Sequence, residues 1–140
     1  MTIKRQTMIE KSVAASIMLA VSSTAIAFLS TAQAADTQLT GDAARGKVLY
    51  QACESCHSID DNDIGPKHRG VVGRVAGSVS DYAYSAALKQ SGIVWDETTL
   101  DRWLTNPSAM VPGTKMFFKI DNAQDRADII AFLKEQKAAK

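Results

Sequence analysis

Polar and apolar positions divide the chain into one long apolar run, four stretches with helical spacing and two long stretches with no period. The run "SVAASIMLAVSSTAIAFLS" follows Lys4, Arg5 and Lys11 and closes at the small-residue triplet Ala32-Gln33-Ala34. A basic lead, an apolar centre and an A-x-A end predict an export signal over residues 1–34, cleaved before Ala35. The alternative is an uncleaved anchor, because the run of about 18 residues approaches the roughly 17–25 that span a bilayer.

Beyond it, Thr40 or Asp42 can cap a first helix reaching about Ala52, with Val48 and Leu49 as an apolar strip and Gly46 allowing another backbone close. Residues 59–79 carry Gly65-Pro66, Gly70, Gly73 and Gly77 and read as loop. Ser80 can cap "DYAYSAALKQ", which stops at Gly92, and Asp96 can cap "ETTLDRWLT", which Pro107 ends. The segment "NPSAMVPGTKMFF" reads as a second loop. Asp121 and Gln124 then form a capping box for a last helix that buries Ile129, Ile130, Phe132 and Leu133. No strand pattern appears, so the expected class is all-α, with four to five helices and long irregular connections. A long structureless segment inside a small domain usually wraps a ligand.

Composition sharpens this picture. Residues 35–140 hold one small domain with thirteen basic and fourteen acidic residues, a net charge of about −1. Such a surface has no pull towards nucleic acid, and no Lys/Arg block is present. Aromatic residues are 6% of the chain, so a core of this size calls for a disulfide, a metal or a large cofactor to complete it.

Both cysteines stand in "CESCH", with His57 directly after Cys56. A Cys53–Cys56 disulfide closes a very short loop and stabilises little. A thioredoxin-like pair needs a βαβ setting, which is missing here. Zinc could draw on Cys53, Cys56, His57 and His68, but neighbours in sequence rarely point at one tetrahedral centre. C-x-x-C-H is the attachment signature of c-type haem: two thiols on one turn add across two vinyl groups, and the next side chain reaches the iron. An export signal agrees with it. The second axial ligand is open among Met110, Met116 and His68, of which Met116 follows the stiff turn Pro112-Gly113-Thr114-Lys115.

In this order, "CESCH", "GPKHRGVVGR", "YAYSAAL", "GIVW" and "NPSAMVPGTKMFF" resemble the mono-haem class I cytochromes c over residues 41–137. The resemblance implies that fold, wrapped around one haem c bound through Cys53 and Cys56. It implies His57 as proximal and Met116 as distal ligand, with the Pro66 carbonyl accepting the His57 ring N–H. It places Arg74, Tyr84 and Trp95 at the haem propionates, and Asn106 and Thr114 as braces of the Met116 loop. Two positions depart from it: Trp103 stands where many relatives have a tyrosine facing the methionine sulfur, and His68 where leucine is common. His68 is expected to be a non-ligand.

The implied function is that of a periplasmic, monomeric electron carrier rather than an enzyme. Its partners are redox proteins docking transiently at a haem edge near Lys115 and Phe118, and membranes enter only through those partners or an uncleaved anchor. An open sixth position would instead give an enzyme acting on a small ligand such as peroxide.

Overall fold

The structure is a computed structural model that describes residues 39–138. Helix α1 (Ala43–Leu49) begins at Asp42, whose carboxylate accepts from the backbone N–H of Ala44 at 2.8 Å and of Arg45 at 3.1 Å. It tightens into a 3₁₀ turn over Tyr50–Ala52 that delivers the chain to Cys53. The expected apolar strip is rotated. Val48 faces solvent at 63% exposure, while Gly46 and Tyr50, four apart on one face, point inward and Leu49 is only half-buried.

The reason lies in helix α5 (Ala123–Glu135), which packs on α1. A Cβ at Gly46 would stand 2.5 Å from the carbonyl carbon of Asp128, so only glycine lets the two backbones meet there. The expected core residues Ile129, Ile130, Phe132 and Leu133 are all buried, and Asp128 is buried with them. Its carboxylate accepts from the Asp42 N–H and from Gln124 Nε2, both at 2.8 Å, and pairs with Arg45. Those bonds correct the expected capping box. Gln124 is drawn to Asp128 and to the Thr40 carbonyl, Asp121 pairs with Lys119, and Asn122 caps α5 by accepting from the Asp125 N–H at 3.0 Å.

Between these ends lie three further helices, α2 (Ala86–Lys89), α3 (Glu97–Thr105) and α4 (Pro107–Met110). Ser85 rather than Ser80 caps α2, which is a single turn. Asp96 and Thr99 form a reciprocal capping box on α3, as the Asp96 start anticipates. The segment after Pro107 corrects the loop reading. Asn106 ends α3 in an extended conformation and accepts from the Ala109 N–H at 3.0 Å, and Pro107 occupies the first helical position, where its missing donor costs nothing. Helix α3 lies against α5, and Leu100, Trp103 and Leu104 complete the core with Trp95 and Val71.

Residues 59–79 form no helix, as the glycine pattern anticipates, and the irregular stretch runs on to Ser85, past the expected start at Ser80. That segment is held by one antiparallel bridge, Val75 to Val94, flanked by Gly73 N–H to Trp95 O at 2.7 Å and Trp95 N–H to Arg74 O at 2.9 Å. Among the described residues, no helix is long and apolar enough to cross a membrane. The expected export signal, residues 1–34, lies outside the described residues.

Candidate haem site

Cys53 to His57 wind a single helical turn: the Cys56 and His57 N–H groups both donate to the Cys53 carbonyl, at 3.1 and 2.9 Å. Both thiols are free and half-buried. Burial first, then the nearby Glu54 charge and Cys56, push the Cys53 thiol up to about 11. A redox-active thiol has its thiolate favoured, and the buried surroundings of Cys53 favour the protonated form instead.

His57 is fixed by its own loop. Its Nδ1–H donates to the Pro66 carbonyl at 2.7 Å, which leaves Nε2 as the lone-pair nitrogen. Burial outweighs the Pro66 bond and the Asp63 charge and lowers the imidazole pKa, keeping the neutral, metal-ligating form. Gly65 lies directly over the ring: a Cβ there would stand 2.5 Å from Nδ1 and 2.6 Å from Nε2. The His68 ring stacks on His57, centroids 4.1 Å apart and planes 21° from parallel. His68 Nδ1 is hydrogen-bonded to the Tyr50 hydroxyl at 2.9 Å. Burial, then His57 and Arg74, push its pKa down to about 3, so it too is neutral near pH 7.

Met116 is held from its own loop and from α3. The Thr114 hydroxyl accepts its backbone N–H at 3.2 Å, after a turn in which Gly113 adopts φ +89°, a conformation that favours glycine. Trp103 Nε1–H donates to the Met116 sulfur at 3.2 Å. The Trp103 indole packs on Trp95, centroids 5.2 Å apart, and Trp95 is paired through its backbone with Gly73 and Arg74. Arg74 is half-buried and gives its guanidinium to the carbonyls of Arg69 (3.0 Å) and Lys67 (2.9 Å), with no carboxylate partner among the described residues. Tyr84 is half-buried, and burial raises its hydroxyl pKa against the opposing charge of Arg74.

The expected residues thus fall into two groups, one around His57 and one running from Arg74 through Trp95 and Trp103 to Met116. Asn106 braces the second only indirectly, by starting α4. Tyr50 and Gly65 escaped the sequence reading: Gly65 is visible there only as the residue before Pro66, and nothing in the spacing joins Tyr50 to His68.

The donor set fits a single porphyrin. Two unpaired thiols lie on one turn, one imidazole has its Nε2 uncommitted, one thioether is fixed in place, and a half-buried guanidinium lacks an anion.

Comparison with known proteins agrees. The family model described as cytochrome c matches residues 43–137. The chain is 46% identical to cytochrome c2 of Rhodomicrobium vannielii over 106 residues, 73% of this chain and 85% of that protein. It is 44% identical to cytochrome c of Arabidopsis thaliana over 109 residues, 74% of this chain and 97% of that one. Among solved structures, cytochrome cH from Methylobacterium extorquens superposes with a TM-score of 0.66 at 46% identity, covering 68% of this chain and 99% of that one. The all-α fold, the cysteine pair at 53 and 56 and these matches together show that the chain belongs to the cytochrome c family, as a mono-haem class I member with one covalently attached haem c.

Proposed function

We propose that this mono-haem electron carrier holds its iron between His57 and Met116 and works in the periplasm after removal of residues 1–34, as the domain 35–140. The observation that carries the ligand assignment is the Met116 sulfur, fixed by the Trp103 N–H on one side and by Thr114 through its own backbone. A sixth ligand held in this way leaves no open coordination position, which favours electron transfer over small-ligand chemistry.

The haem supplies a one-electron Fe(III)/Fe(II) couple. Cys53 and Cys56 would anchor it as thioethers, and the Pro66 carbonyl would hold the His57 ring with Nε2 presented to the metal. The soft thioether of Met116 favours Fe(II) and raises the potential above that of a bis-histidine site. Arg74 would balance propionate charge, with the Trp95 indole N–H and the Tyr84 hydroxyl as donors beside it. The buried indoles of Trp95 and Trp103 exclude water from this side.

Redox partners would dock beside the methionine loop. Phe117 is 86% exposed and Phe118 45%, while Lys115 Nζ donates to the Ala83 carbonyl and Lys119 pairs with Asp121. The exposed Phe117 and Phe118 beside the charged Lys115 suit a small, transient contact. The charged, apolar and small-residue order of residues 1–34 supports export, and a purified chain beginning near Ala35 by mass spectrometry tests it. Spectroscopy of the oxidised protein tests the ligation. A low-spin haem slow to bind cyanide or peroxide is expected, and a high-spin haem that binds either at once refutes the carrier reading in favour of an enzyme.

A further inference from the structure

His57 has one hydrogen bond to its ring, from Nδ1 to Pro66. One bond pins one edge of the ring and leaves the plane able to swing about it. The Gly65 backbone crowds the ring, and the side-chain contact that opposes the swing is the flat face of His68, 4.1 Å away and nearly parallel. His68 is itself restrained. Its backbone N–H donates to the Ser58 carbonyl at 3.0 Å and its carbonyl accepts from Val71 at 2.9 Å, so both flanks are tied into the irregular segment. Its side chain is tied to the Tyr50 hydroxyl at 2.9 Å. Tyr50 in turn is 1% exposed and wedged against Phe132 of α5, centroids 5.2 Å apart.

A leucine at 68 would fill similar space but would strip the buried Tyr50 hydroxyl of its partner, which is costlier than never having placed a hydroxyl there. Tyr50 and His68 are therefore a matched pair, and α5 is connected through them to the ring that faces the metal. We infer that His68, clamped by Tyr50, is a positioning residue that sets the plane of the His57 imidazole. The inference rests on the reading of His57 as an iron ligand.

The orientations of the two axial ligands together select which π-symmetry d orbital is half-filled in low-spin Fe(III), so with Met116 unchanged a turned imidazole plane alters how unpaired spin is shared among the four haem methyl groups. Proton NMR of the oxidised holoprotein reads that distribution directly. His68→Leu and Tyr50→Phe should each change the order of the hyperfine-shifted methyl resonances. His68→Phe, which keeps a flat ring, should move the order back towards wild type. Ile130→Val, a core truncation in α5, should lower stability and leave the order alone. Wild-type methyl order in both His68→Leu and Tyr50→Phe overturns the inference. Should His68→Leu fail to accumulate, Tyr50→Phe, which removes a single hydroxyl, decides alone. The wild-type spectrum separates the two claims: hyperfine-shifted His57 ring protons support the ligand reading, and their absence overturns that reading itself.

Discussion

The Trp103 indole N–H donates to the Met116 sulfur across 3.2 Å. With Met116 as the proposed iron ligand, a donor on the thioether would draw lone-pair density off the sulfur, weaken its donation to Fe(III) more than to Fe(II), and hold the potential up.

Trp103→Phe removes that donor while keeping an aromatic ring in the core. A hydrogen bond of about 1 kcal/mol bounds the effect, so the potential should fall by up to about 40 mV for a one-electron couple. Protein voltammetry checks this. An unchanged or higher potential contradicts the assigned role of the indole.

Gly65 has no positive φ, so its backbone conformation tolerates alanine, and the atoms nearest to an added Cβ are those of the His57 ring. Gly65→Ala should displace His57, giving loss of bound haem or a high-spin form, with the Pro66 bond broken. Haem content per chain and the Fe(III) absorption spectrum measure it. A low-spin, fully loaded Gly65→Ala protein would show that the close approach is not needed.

Asp128 is the buried joint between α1 and α5. The Asp42 N–H, then Gln124 and Arg45, hold its carboxyl below the usual range against the opposing effect of burial. A carboxylate whose folded value is depressed adds stability that is present above its unfolded value of about 3.9 and is lost as pH falls through the folded value. Asp128→Asn should cost about 1–3 kcal/mol at pH 7, read by urea unfolding. The gap from wild type should narrow in acid, where Asp128 protonates. A gap independent of pH would mean that shape rather than charge holds the joint.

Local chemistry was the part of this molecule legible in the sequence. The thiol pair and His57 share one turn, and the Asp42 and Asp96 caps act within three residues, so each is complete in a short stretch. Elsewhere tertiary contacts overrode the local reading. Gln124 is pulled away to Asp128, so Asn122 displaces Asp121 as a cap, and the close packing of α5 at Gly46 turns Val48 outward. The turn at Pro107 read as loop because a proline that ends one helix can also begin the next. The Tyr50–His68 bond was invisible for a different reason: it joins residues eighteen apart across a stretch with no period to place either side chain.

The account stands most directly on the near-infrared spectrum of the oxidised protein, wild type beside Met116→Ala. The weak sulfur-to-iron charge-transfer band should be present in wild type and absent from the variant, whose haem stays covalently bound. A wild-type protein without the band, or a variant that keeps it, would contradict ligation by Met116 and with it the closed sixth position.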